Sequence, residues 1–163
     1  MQLKITTDYA IRMIVHLAGL GGVATAASIS AAMAIPQKYV TAVARPLCEA
    51  DVDAVVRLEE ASFHTPWTRA DFEGELKNPL ALYLVVLEDD ELIAYGGSWI
   101  VFDECHITNI AVAPPMRGAG VGTELMRELL SAAAARGARS YTLEVRPSND
   151  AAIALYRKFG FIV

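Results

Sequence analysis

Residues Ile107 to Met126, ITNIAVAPPMRGAGVGTELM, are the stretch around which the rest of the chain is read. They form, in order, a short apolar strand over Ile107 to Val112, a proline-containing turn, a glycine-rich loop from Arg117 to Gly122, and the opening of an amphipathic helix. Glycine lets the backbone approach a ligand closely, and the first turn of a helix presents unpaired amides at the positive end of its dipole. Such a loop suits a phosphate group, and it equally suits a tight strand-to-helix connection. It is not a Walker A loop, because no Lys-Ser/Thr pair follows its last glycine.

Outward from this stretch the chain alternates strands and helices. Downstream, Leu125, Met126, Leu129, Leu130 and Ala133 repeat at helical spacing until Gly137 ends the helix. Tyr141 to Val145 reads as a strand, and Asn149 or Asp150 caps a last helix, Ala151 to Lys158, terminated by Gly160. Upstream, Val43 to Pro46 ends a first strand and Glu49 to Phe63 is a helix with Val52, Val55 and Val56 on one face. Thr68 caps a second helix containing Phe72 and Leu76. Leu82 to Leu87 and Leu92 to Phe102 make a hairpin about the acidic turn Glu88 to Glu91. Gly96-Gly97 within its second strand signals a bulge or a close backbone approach.

The totals narrow the classes open to the chain. Its 163 residues suit one ordinary domain with a small extra module, and 54% hydrophobic against 20% charged residues is a globular composition able to bury a core. No apolar run reaches the roughly 18 residues that span a bilayer, and the N-terminus lacks a signal-peptide pattern. The expectation is a cytoplasmic protein with no membrane contact. Cys48 and Cys105 lack metal-ligand spacing and are expected as free thiols, and His16, His64 and His106 lie apart, so no metal site is expected. Charge is uneven. Lys4, Arg12, Lys38 and Arg45 against Asp8 give residues 1 to 45 a formal +3, within a chain total of −5.

Residues 1 to 42 read as a separate arm of short helices. Thr6 or Thr7 caps the first, Thr25 the second, and Pro36 opens a third bearing Gln37 and Lys38, which is helix-turn-helix arithmetic. MQLKITTDYAIRMIVHLA and ISAAMAIPQKYV resemble the start of the IscR/NsrR-type winged-helix regulators, over about residues 1 to 40. That resemblance implies DNA as a partner. Ala34 departs from the glycine usual in the family's turn, and neither the family's wing nor its dimerisation helix follows. A leftover helical arm that packs on the main domain or dangles is the alternative.

From about residue 43 to 163, the strand before the loop, RGAGVG, LEVRPSN and ALYRKFGF together resemble the GNAT acyl-CoA-dependent N-acetyltransferases, and PWTRADF with HITNIAV narrows this to the RimI type. The resemblance implies an α/β fold, a mixed and mostly antiparallel sheet flanked by helices. It also implies acetyl-CoA as co-substrate, and acetyl transfer to the N-terminal alanine of a ribosomal protein. Ile110, Ala111 and Val112 match the strand that pairs with the pantetheine arm. Arg117, Gly118, Ala119, Gly120, Val121, Gly122 and Thr123 match the pyrophosphate loop. Asn149 matches a cofactor contact, or serves as a helix cap, or both.

Glu144 matches the general base that deprotonates the amine, or else it pairs with Arg146 on the same strand face. Tyr156 matches the general acid that protonates the departing thiolate, or else it packs beside Ile153 and Phe159. Phe63, Pro66 and Trp67 match the peptide-binding side, or staple a turn to the core. Met116 replaces a common aromatic residue. RimI-type enzymes continue past FGF with two further strands, so the domain is expected to lack its last strands and to leave the Tyr141 to Val145 edge unpaired. The alternatives to an acetyltransferase are a DNA-binding fragment carried by residues 1 to 40, or an inactive fusion of the two.

Overall fold

The computed structural model describes residues 43–162. The expected helix-turn-helix-like arm, with the DNA partner assigned to it, lies outside the described residues, as does Val163. The first strand, β1, is Val43–Pro46. A 3-10 turn, Glu49–Asp51, leads into α1, Val52–Ser62. The Arg45 guanidinium donates to both carboxylate oxygens of Asp51 at 2.7 Å and holds that carboxyl at about 2, well below the usual carboxylate range. Helix α2 is Arg69–Glu75. Thr68 caps it as expected, accepting from the Asp71 amide while Asp71 accepts from the Thr68 amide at 2.7 Å.

β2, Ala81–Glu88, and β3, Glu91–Val101, form the expected hairpin. Asp89 and Asp90 both take left-handed backbone angles at its turn, the geometry that matches strand twist and that Asp tolerates. β4 is Glu104–Val112, α3 is Val121–Ala135, β5 is Ser140–Leu143 and α4 is Asp150–Lys158. The five strands lie in the order β1-β2-β3-β4-β5, with β3 and β4 antiparallel and β4 and β5 parallel. The sheet is mixed and mostly antiparallel with helices on its faces, as the resemblance implied.

Two apolar layers enclose it. On one face Val52, Val55 and Phe72 are fully buried, and the Phe72 ring meets Tyr83 and Tyr95 edge-on at 6.3 and 5.6 Å. On the other, Leu125, Met126, Leu129 and Ala133 of α3 and Tyr156 of α4 pack with Leu84, Ala94 and Ile107. Val56 is only half-buried, whereas Leu58 and Glu59 of α1 are buried. Both cysteines are free thiols, Cys48 exposed and Cys105 buried.

Gly96-Gly97 does what its position suggested. A Cβ on Gly97 would stand 2.2 Å from the Tyr83 ring, and one on Gly96 would stand 2.9 Å from Ile110 Cδ1. The register breaks after Gly97, but the extra residue is on the partner strand: Gly97 faces Asn109 and Ser98 faces Ile107, leaving Thr108 as the bulge in β4. The Tyr83 ring cannot retreat, because its hydroxyl meets Thr108 Oγ1 at 3.1 Å and Phe72 and Trp67 flank it. Gly97→Ala should therefore destabilise the domain by about 1–3 kcal/mol, read as a lower urea midpoint. Gly74→Ala, on exposed α2 with open space about it, should instead stabilise by about 0.5–1 kcal/mol.

Candidate active site

The site begins where β4 and β5 part. Their parallel pairing runs from Glu104 with Ser140 to Ile107 with Leu143, and β5 ends there. β5 thus starts one residue before the expected Tyr141 to Val145 and ends two residues before it, and the reason for the early end lies in its neighbour. The Thr108 bulge follows directly on the last paired residue, and a bulged strand bends away from its partner. β4 continues to Val112 with β3 on one side and no strand on the other among the described residues. Ile110, Ala111 and Val112 occupy this parted edge, where an added strand would find backbone donors and acceptors.

The glycine loop follows. Gly118 and Gly120 have φ of +79° and +93°, in the left-handed region, and Gly120 is the N-cap of α3 without a side-chain cap. The Gly120 carbonyl accepts from the Thr123 and Glu124 amides at 2.9 and 3.1 Å. The amides of Gly118, Gly120, Val121 and Gly122 make no hydrogen bond to another described residue. The Arg117 side chain turns back instead, Nε donating to the Val112 carbonyl at 2.9 Å, and so ties loop to strand. A Cβ on Gly122 would be 3.5 Å from Val112 and 3.6 Å from Leu155, so strand, loop and α4 meet at one point. Free amides at an uncapped helix start are the chemistry that holds an anion.

Asn149 is the N-cap of α4, its Oδ1 accepting from the Ala152 amide at 3.2 Å. The cap reading of Asn149 is therefore observed. Glu144 stands just beyond Leu143, exposed, with no ion pair or hydrogen bond to another described residue, so the alternative pairing with Arg146 is not seen. His106 Nδ1 lies 3.0 Å from Thr142 Oγ1. His106 in turn stands opposite Trp99, whose indole donates to Glu75 of α2. Strand alternation places Glu144 on the face of Thr142, the face that α1 and α2 cover.

Tyr156 is buried, and burial pushes its phenol up, keeping the hydroxyl protonated at neutral pH. Its ring packs against Phe161 at 6.1 Å rather than Phe159. Glu144 and Tyr156 line one cleft of about 970 Å3 along β5, with Thr142, Val145 and Phe161. None of residues 110–112, 117–123 or 149 lines that cleft. The expected site residues thus fall into two groups, joined through α4 by Leu155 and Tyr156.

Sequence reading missed a third group. Glu59 of α1 is 1% exposed; Oε1 accepts from the Trp67 amide at 3.1 Å and from Asn109 Nδ2 at 3.3 Å, and Oε2 accepts from the Tyr95 hydroxyl. Burial pushes its carboxyl up, against the pull of those three bonds. The signal was legible: with Val52 and Val55, Glu59 sits at helical spacing on the apolar face, where a carboxylate needs a reason. The Trp67 ring packs tilted against Phe72 at 5.7 Å, so Trp67 staples the turn to the core, whereas Phe63 and Pro66 are exposed. His64 is exposed, and among the described residues no cluster of His, Cys, Asp and Glu could hold a metal ion. No helix among them is long and apolar enough to cross a membrane.

A mixed sheet parted between β4 and β5, with a glycine-capped helix opening beside the parted edge, is the fold of an acyl-group transferase. The chain belongs to the acetyltransferase (GNAT) family, whose model matches residues 52–161. It is 46% identical over 111 residues, 68% of this chain and 74% of the relative, to a Bacillus subtilis protein provisionally named a [ribosomal protein bS18]-alanine N-acetyltransferase. It is 36% identical over 115 residues, 71% and 77% of the two chains, to the Salmonella typhimurium [ribosomal protein bS18]-alanine N-acetyltransferase. The crystal structure of the Escherichia coli ribosomal-protein-S18-alanine N-acetyltransferase superposes with a TM-score of 0.67 at 30% identity, covering 72% of this chain and 76% of that one.

Gly120→Ala should strain the α3 cap by about 1–2 kcal/mol, read as a lower thermal midpoint. Gly122→Ala, whose Cβ would make only ordinary contacts, should leave the midpoint unchanged or raised.

Proposed function

We propose that this enzyme transfers acetyl from acetyl-CoA to the N-terminal amine of a protein, an alanine of a ribosomal protein, as the names of its relatives state for them. The observation that carries the reading is the edge of β4 that no strand among the described residues pairs, beside an α3 N-terminus without a side-chain cap, a strand-like slot ending at an anion cradle. Ile110, Ala111 and Val112 offer their backbone to the pantetheine arm, and Arg117 to Thr123 surround the pyrophosphate with amides and the helix dipole. Asn149 adds a side-chain amide at the start of α4. Bound there, acetyl-CoA supplies the activated acetyl group.

The protein's own residues then handle protons and position. An N-terminal amine is largely protonated near neutral pH and must lose a proton before it attacks a carbonyl. Glu144, exposed and without a cationic partner among the described residues, accepts that proton directly or through water. The nitrogen lone pair so freed forms the new C–N bond as the C–S bond breaks. Tyr156, kept protonated by burial, gives its hydroxyl proton to the departing thiolate. No acyl-enzyme is formed, and holding the two substrates against one another supplies much of the rate. Glu75, Glu104 and Glu144 give the acceptor face a negative charge that suits a cationic N-terminus.

Calorimetry with acetyl-CoA should show binding, and none at high micromolar concentration would overturn the reading. Glu144→Gln should lower kcat for an alanine-starting peptide about a hundredfold with acetyl-CoA affinity kept. Tyr156→Phe should slow turnover likewise, and an unchanged rate in either variant would remove that residue from the mechanism.

A further inference from the structure

The Glu59 carboxylate is fully buried on a helix whose neighbouring positions are apolar, and it is spent on three donors from three different elements. Those donors are the Trp67 amide in the turn between α1 and α2, the Tyr95 hydroxyl in β3 and the Asn109 amide nitrogen in β4. A well-packed apolar side chain at such a place is often as stabilising as a buried charge, or more so, which makes stability a poor reason for the carboxylate. What the three bonds do is close a circuit. Glu59 holds Trp67; the Trp67 ring lies 6.4 Å from Tyr83; the Tyr83 hydroxyl meets Thr108 at 3.1 Å; and Asn109, the next residue, returns to Glu59 at 3.3 Å.

The circuit links the two things an acceptor amine must be aligned between. One side is the turn from Phe63 to Thr68, between α1 and α2. The other is the β4 bulge at Thr108 that makes the strands part and lies two residues before Ile110. Tyr95, the third anchor, stands directly opposite Ala111 in the β3–β4 register. A shift of the turn relative to the bulge would alter the space for the amine and its peptide while leaving the glycine loop, on the other side of the sheet, as it is.

We propose that Glu59 is a positioning residue for the acceptor peptide, setting the distance between the Trp67 turn and the bulged strand. The inference rests on the acetyl-transfer reading proposed above. It is tested by Glu59→Leu, which removes both acceptor oxygens and with them all three hydrogen bonds at similar volume, and by Glu59→Gln, which keeps one carbonyl for the Trp67 and Asn109 donors. With an alanine-starting peptide, Glu59→Leu should raise the peptide KM about tenfold, while the KM for acetyl-CoA stays within about twofold. Glu59→Gln should recover most of that loss.

A second measurement needs no turnover. Trp67 and Trp99 are the chain's two tryptophans, so in a Trp99→Phe background acrylamide quenching reads Trp67 alone. It should increase when Glu59 becomes Leu and be restored with Gln. A folded Glu59→Leu protein with both KM values unchanged overturns the proposal, and so does unchanged quenching. Should Glu59→Leu fail to fold, Asn109→Ala decides: it cuts the tie from Glu59 to the bulged strand, and a peptide KM and quenching both equal to the parent's would overturn the proposal. A parent enzyme that binds acetyl-CoA but acetylates no N-terminal peptide would instead overturn the acceptor reading, with the quenching comparison still reporting on Glu59.

Discussion

The parting of two parallel strands is the constraint on which the rest of this structure depends. β4 and β5 are neighbours only from Glu104 to Ile107, and β4 then runs on to Val112 with hydrogen-bonding groups turned toward no other strand among the described residues. Backbone donors and acceptors left without partners are costly once buried, so an open strand edge inside a fold is a place for a guest. The single inserted residue Thr108 is what parts the strands, by bending β4 where its pairing with β5 stops. Everything proposed for the site is measured from that point: the donor along the free edge, and Glu144 just past the end of β5.

Glycines make the parted region possible, in two distinct ways. Gly96 and Gly97 are there because a side chain would collide with Ile110 and with the Tyr83 ring, so the hairpin strand can lie close under the bulge. Gly118 and Gly120 are there because the chain must adopt left-handed angles to leave β4 and start α3 with its amides free. Neither pair is a matter of flexibility. Both fix a short path for the backbone that residues with a Cβ would strain.

The helices on the two faces have unequal tasks. α3 and α4 seal an ordinary apolar layer, and α4 brings Tyr156 to the cleft it shares with Glu144. α1 and α2 also bury an apolar layer, but with a carboxylate at its centre tied to the turn, to β3 and to β4. Burying Glu59 raises its carboxyl against the three bonds that hold it, a cost that apolar packing would avoid. The benefit proposed for it is alignment of the acceptor side with the bulged strand.

Order and type of nearly every element from β1 to α4 were legible in the residues, because helical and alternating periodicities and their punctuation are local properties. Thr68 and Asn149 cap where their side chains predict, Asp89-Asp90 turns the hairpin, and Gly137 and Gly160 end the last two long helices. The family, too, was readable from the ordered motifs around RGAGVG, LEVRPSN and ALYRKFGF. What periodicity could not supply was anything that depends on a neighbour distant in sequence. Which strand carried the bulge, that β5 stops at Leu143, that Glu144 has no pairing with Arg146, and that Glu59 joins residues 8 to 50 positions away were decided only when the sheet was assembled. Local preference determines the pieces, whereas register, burial and shared hydrogen bonds exist only between pieces once they are packed.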